Sequence, residues 1–428
     1  MRTDPKSTSS RKVAFASFIG TAIEWYDFYL YGTAAALFFN KLFFPHFDPV
    51  AGVMAAYATY AVGFFARPLG GIIFGHFGDR ISRKKMLVLT LSIMGTATAF
   101  IGLIPSYNQI GILAPLLLIL LRCIQGIAVG GEWGGAIVLI AEHSREKERG
   151  FYASWPNAGA PFGLLLSILI LIILSSLPED QFLAWGWRIP FLLGFVLVLI
   201  GLIIRLHVLD SPMFVSKMKD RRPSPIPALE VIRTTPKNFL IAIGVRFIES
   251  ASFYIFTVFV LSYATDQLFL SKNLILYAVM MGSILETFTI PIFGKISDKL
   301  GRRPVYFAGS VLTALFAFPF FWLLQTKNPV IIFYTICYGI AIAHAAMHGP
   351  QAAFISELFR TRVRYSGTAI TYHLASALSG GLAPLIATGL VAWAHGKTWP
   401  VSVYMILMAI ITMVSVYLSK ESAQKDIS

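Results

Sequence analysis

The sequence predicts an all-α membrane protein: twelve transmembrane helices in two pseudo-symmetric six-helix bundles, with both termini on the cytoplasmic side. Three observations lead there. Of the 428 residues, 56% are hydrophobic and 13% are charged, about half the charged share of a soluble globular chain. Apolar stretches of about 20 residues, the length a helix needs to cross a bilayer, recur a dozen times along the chain. The basic residues between those stretches are strongly biased to one side.

The elements follow in order. A polar, basic tail, residues 1–12, precedes a first apolar run that carries Glu24 and Asp27 and has no convincing cleavage site, so it reads as a retained span rather than a signal peptide. Further spans fall at about 51–74, 86–104, 111–140, 151–175 and 186–208, completing a first bundle over 13–208. Residues 209–238 are polar and proline-spaced and read as a cytoplasmic linker with one surface helix. A second bundle, 239–420, has spans at about 239–264, 273–294, 304–324, 329–356, 366–394 and 400–419, and 421–428 form a cytoplasmic tail. With the N-terminus inside, 27 Lys and Arg fall in cytoplasmic segments and five in outer ones. Basic loops resist translocation, so this asymmetry fixes the orientation. The net charge of +14 is therefore a topology signal and does not call for nucleic acid. Cys123 and Cys337 sit in apolar runs without disulfide-like or metal-binding spacing.

The halves repeat. GHFGDRISRKK (Gly75 to Lys85) aligns with GKISDKLGRRP (Gly294 to Pro304) at an offset of 219, placing Gly75 on Gly294, Asp79 on Asp298 and Arg83 on Arg302. Glu142 precedes Arg149 by seven residues, as Glu357 precedes Arg364. Repeated halves are typical of secondary transporters, whose substrate sites lie between them. Gly75, Asp79, Arg83 and Lys84, together with Arg122, Gln125 and Gly126, resemble signature motifs of the major facilitator superfamily. GTAIEWYDFYLYG, RCIQGIAVGGEWGGA and GPQAAFISELFRTRVRYSG resemble its metabolite:proton symporter branch. Ser82 departs from the loop signature, which has glycine there; the second copy keeps Gly301. The resemblance implies a latch between the halves built from Gly75, Asp79, Arg83, Glu142, Arg149, Asp298, Arg302, Glu357 and Arg364.

Charged side chains within a span each cost about 2.5–3.5 kcal/mol on insertion scales, so each needs a partner, a wet cavity or a function. Glu24, Asp27 and Tyr31 share one face of the first helix. Arg122 lies roughly 16 Å into the fourth span at 1.5 Å per residue, near the bilayer middle. A carboxylate–arginine pair of Asp27 or Glu24 with Arg122 is the candidate proton-coupling site: while the arginine is near, the acid stays ionised, and when it is drawn away burial favours protonation. A static ion pair that only sets helix packing is the alternative. The substrate-binding candidates are Arg122, Gln125, Tyr31, Asn157, Arg246, Glu249 and Glu286. For the last three, a cavity lining and a helix 7 to helix 8 ion pair are both open. Glu132 lies among glycines suited to close helix packing. His344 and His348 are one turn apart, but no third or fourth ligand stands nearby in sequence, so polar lining or core hydrogen bonding is expected and no metal.

These readings describe a secondary transporter: proton-coupled import of a small polar metabolite by alternating access, with no cofactor beyond the proton gradient. Arg122 and Arg246 favour an anionic substrate, because guanidinium matches carboxylate geometry, and the branch resembled handles organic acids such as shikimate and di- or tricarboxylates. The alternative is a zwitterionic osmolyte such as proline or betaine, which Glu249 and Glu286 could meet at its cationic end; the short tail after the last span argues mildly against an osmosensor. A drug exporter ranks lower, because the WPNAGAPFG segment does not match the full antiporter motif. An intramembrane enzyme ranks lower too, since GxSxG, HExxH and a complete Walker A are absent. The expected setting is a monomer in a prokaryotic inner membrane, with substrate, protons and lipid as its partners and no nucleic acid.

Overall fold

The computed structural model describes residues 5–80, 83–130, 146–209, 227–360 and 363–423. Among these, the long helices in the first half are α1 (Pro5–Leu37), α2 (Pro49–Arg80), α3 (Arg83–Leu103), α4 (Leu113–Gly130), α5 (Arg149–Leu174) and α6 (Arg188–Leu209). The second half holds α7 (Pro236–Gln267), α8 (Lys272–Leu300), α9 (Arg302–Gln325), α10 (Pro329–Glu357), α11 (Ser366–Trp393) and α12 (Trp399–Leu418), with the short helix Pro227–Thr234 before them. Nine helices of the described residues are long and apolar enough to cross a membrane, and a bent pair, Glu179–Gly186 with Arg188–Ile203, makes a tenth. The charged first helix α1 and the shorter apolar stretch of α3 complete the long helices. No strand occurs among the described residues.

The helices are assembled with their polar side chains inward. Leu315 is 70% and Tyr417 73% exposed, whereas Arg122, Arg302 and Glu286 are fully buried. A soluble protein hides the former and hydrates the latter; this arrangement suits a hydrocarbon surround. Small residues permit the close contacts. A side chain at Gly126 would strike the Gly63 carbonyl, and one at Gly130 would strike that of Arg67, so α2 and α4 meet backbone to backbone. α5 lies against α1 through Gly159 and Gly163, and against α8 through Gly150 and Gly294. The α5–α8 contact joins the halves.

One expectation is corrected here. The segments read as loops, Gly75 to Lys85 and Gly294 to Pro304, are largely helical: α2 runs to Arg80, α3 starts at Arg83, and only Gly301 separates α8 from α9. Charged residues at a bilayer edge can extend a span into water, because the backbone bonds stay intact. Gly301 makes the turn at φ +102°, a conformation that glycine reaches without the Cβ penalty; its counterpart Ser82 is outside the described residues. The fourth span is described only to Gly130, so the expected stretch 131–140, with Glu132, also lies outside them.

Candidate functional site

The site is built from three buried groups of polar residues. The first centres on α1, α3 and α4. Asp27 and Arg122 do not form the direct ion pair expected; Asp27 Oδ2 accepts from Thr98 Oγ1 (2.8 Å), which accepts from Gln125 Nε2 (2.6 Å), while Gln125 Oε1 accepts from Arg122 Nη1 (3.0 Å). The two charges are thus linked by a hydrogen-bonded relay. The reason is steric: the guanidinium is held among aromatic rings, with Cζ 3.9 Å from the centroid of Phe28, 4.2 Å from Tyr31 and 5.0 Å from Tyr60. A cation over ring faces recovers some of its lost hydration. Tyr31 turns its hydroxyl to Thr59 at 2.6 Å. Asp27 Oδ1 has no hydrogen-bond partner, nor do Arg122 Nε and Nη2.

The second group lies on α7, α8 and α10. Arg246 Nη2 is 3.3 Å from Glu249 Oε2, and its Cζ lies 3.5 Å from the Tyr372 centroid. Glu249 Oε1 faces His348 Nδ1 (2.7 Å) and His344 Nε2 (3.2 Å), while His344 Nδ1 contacts Glu286. Of the two readings left open for these residues, the ion pair between helices 7 and 8 does not form as an Arg–Glu pair: a histidine of α10 stands between the two acids. Wide helical turns at Ile255–Phe259, Gly339–His344 and Ala377–Gly381 re-aim the side chains of α7, α10 and α11 around this group.

Between the groups lies a cavity of about 10 Å³ lined by Glu24, Trp25, Phe28, Arg67, Val129, Tyr372 and His373, room for roughly one water. Arg67 also stacks on Phe28, at 3.9 Å. Its Nε and Nη1, those of Arg246, and both ring nitrogens of His373 lack hydrogen-bond partners. Unpaired buried donors are rare and costly. Asn157, expected at the substrate, donates to the His348 carbonyl at 2.8 Å and so ties α5 to α10.

Contacts among the described residues join the two halves at both ends of the bundle. On the face carrying the α2–α3 and α8–α9 junctions, Asp298 accepts from the backbone N–H groups of Gly150 (2.7 Å) and Phe151 (2.9 Å) at the start of α5, and from Arg302 (2.8 Å). Arg302 and Arg149 both reach Glu357, at 3.3 and 3.4 Å. A carboxylate at a helix N-terminus gains from the dipole and from charge-assisted bonds. Arg364 donates to the carbonyls of Ser356 and Phe359, closing the end of α10. Gly75 and Asp79 fall in the last turns of α2 and Arg83 opens α3, with their side chains outside the described residues, as is the whole of Glu142. On the opposite face, Tyr57 bonds Ser262 at 2.8 Å and Ser175 bonds Asn273 at 3.1 Å, each across the two halves. Thr98 gave no signal in sequence, being one of three threonines in an apolar run with Thr90 and Thr96. His344 and His348 did signal, by their one-turn spacing; what lay hidden was that two acids face them from other helices.

The Major Facilitator Superfamily profile matches residues 17–384. The shikimate transporter of Escherichia coli (strain K12) is 42% identical, over 96% of this chain and 95% of that protein. The proline/betaine transporter of the same strain is 35% identical, over 97% of this chain and 85% of that protein. The crystal structure of a D-xylose-proton symporter superposes with a TM-score of 0.74 at 19% identity, covering 96% of this chain and 98% of that one, a likeness of fold. The chain belongs to the Major Facilitator Superfamily and is a multi-pass membrane transporter, not an enzyme.

Proposed function

We propose that this protein is a proton-coupled symporter that imports a small organic acid by alternating access between two six-helix bundles, 13–208 and 239–420, joined by the linker 209–238. The observation that carries the anionic substrate is the set of three buried arginines, Arg67, Arg122 and Arg246, each with N–H groups that have no hydrogen-bond partner, Arg67 among them lining the small cavity. A carboxylate bonded by two such forks would satisfy donors that have no protein partner. The 42% identity to a shikimate transporter supports the same class. Asp27, or Glu24 one turn away, carries the proton; Glu249 orients Arg246; Gln125, Tyr31, Asn157 and Glu286 shape the cavity once it opens. The twelve helices all span, the latched face with the termini is cytoplasmic, and the membrane is the inner membrane of a prokaryote, where the protein acts as a monomer.

A second reading, import of a zwitterion such as proline or betaine, draws on the 35% identity to a proline/betaine transporter. The test is uptake into proteoliposomes under an imposed inward proton gradient, with labelled shikimate, citrate, proline and betaine side by side. Gradient-driven accumulation of an acid supports the proposal. Accumulation of betaine or proline alone replaces it with the second reading, and efflux in place of uptake removes the symporter.

A further inference from the structure

We propose that Glu249, His344 and Glu286 form a second proton-binding site, in the second half of the chain, that holds one coupled proton on the His344 imidazole. This inference rests on the symporter reading for its coupling, and on a hydrogen count for the site itself. Three N···O contacts join four side chains: Glu286 to His344 Nδ1, His344 Nε2 to Glu249, and His348 Nδ1 to Glu249. A contact between a ring nitrogen and a carboxylate oxygen needs one hydrogen. Two neutral histidines supply only two, because each has one N–H and one bare lone pair. His344 faces a carboxylate with both nitrogens, so it must be doubly protonated or one acid must hold the proton. The third hydrogen comes from water.

The charge sum agrees. Two carboxylates, the Arg246 guanidinium and one imidazolium total zero, the sum a buried cluster tolerates best. All five side chains are nearly or fully buried. The ligand-type atoms of Glu249, His344 and His348 lie within 4.8 Å of one another, and the N···O separations of 2.7 and 3.2 Å between them are hydrogen-bond distances. The other groups facing it are Phe253 of α7, whose ring is 4.7 Å from His344, Tyr29 of α1, which packs on Phe253 at 5.3 Å and lies near Glu286, Tyr372 of α11 over Arg246, and Tyr306 of α9, which is bonded to Gln351. None of them is a further carboxylate or amine.

Losing the proton to water leaves the cluster at one net negative charge and sets a bare ring nitrogen against a bare carboxylate. That loosens the α7–α8–α10 junction at His344, the last residue of the wide turn Gly339–His344. His348 also carries the carbonyl that Asn157 of α5 holds, so the loosening reaches the first half. Protonation thus favours the closed arrangement, and release favours opening.

The test uses the full chain in bilayers with isotope-labelled histidine, and nitrogen NMR at neutral pH. The expected result is a doubly protonated imidazole whose signal vanishes in His344→Gln or His344→Asn and becomes neutral in Glu286→Gln; either histidine variant suffices for the assignment. A neutral His344, with no protonated carboxyl at Glu249 or Glu286 by infrared difference spectroscopy, overturns the site. In proteoliposomes containing a pH dye and fed labelled shikimate, Glu286→Gln should move one proton fewer per substrate taken up than the parent, at whatever uptake rate it retains. An unchanged ratio in both Glu286→Gln and His344→Asn overturns the coupling. A parent protein that takes up substrate with no proton movement defeats the symporter reading instead, and the NMR result alone then decides the site.

Discussion

Phe28 sits 3.9 Å from two guanidinium carbons, those of Arg67 and Arg122, and this single ring helps explain why the expected ion pair is absent. The spacing of Glu24, Asp27 and Tyr31 was enough to place an acid-bearing face inside the bundle. It could not show that an aromatic ring of the same helix would hold the arginine one relay away from Asp27. Thr98 and Gln125 fill that relay, and only the packing of α3 against α4 brings them together. Asp27 Oδ1, buried and unpartnered, is where the proposal puts the first coupled proton. Each coupled proton is worth about tenfold accumulation per unit of pH gradient, 1.36 kcal/mol. Asp27→Asn should therefore lower gradient-driven accumulation by about that factor while leaving counterflow exchange intact; accumulation equal to the parent's would remove Asp27 from coupling.

At the scale of the element, the start of α5 is the part most exposed to change. Its first N–H groups are capped by Asp298, a residue 148 positions away, so the helix end and the closed face are one feature. Asp298→Asn replaces charge-assisted bonds, worth about 1.5–3 kcal/mol each, with weaker neutral ones. A cysteine at position 154, facing Gly294, should then label about tenfold faster from that face in a background lacking Cys123 and Cys337; an unchanged rate would mean the face is held by packing alone. Glu421 supports the same face from the C-terminal side. Burial opposes its ionisation, but backbone N–H groups of Ala423, Arg302, Arg303 and Ser422 outweigh burial and hold its carboxyl below the ordinary value. A lowered folded-state value means stabilisation that is complete above the unfolded glutamate pKa of about 4.3 and is lost as pH falls through the folded value. Thermal unfolding of Glu421→Gln should accordingly start lower than the parent's at neutral pH and lose less on acidification, the two curves converging in acid. The repeat motif was legible here: Asp298, Arg302 and Glu357 were singled out by alignment alone. Arg364 was grouped with them, and its guanidinium donates to the carbonyls of Ser356 and Phe359 at the end of α10.

For the whole molecule, contacts among the described residues join the two halves at both faces, around a cavity with room for about one water. Alternating access requires each face to open in turn, so fixing either should stop transport. Ser154→Cys with Gly294→Cys on one face, and Gly32→Cys with Val258→Cys on the other, join positions already in contact. Each disulfide should abolish uptake of the transported solute and each reductant treatment should restore it; uptake that survives either cross-link would exclude a rocking mechanism. The sequence by itself determined the class of protein, the approximate helix boundaries, the basic asymmetry and the repeat. These rest on the cost of placing polar groups in hydrocarbon, which acts residue by residue and leaves its mark in composition and spacing. Only the tertiary structure decided which charges meet. Whether Asp27 touches Arg122 or Thr98, and whether Glu286 finds an arginine or a histidine, depends on how helices from distant parts of the chain pack, and spacing along one helix carries no information about its neighbour.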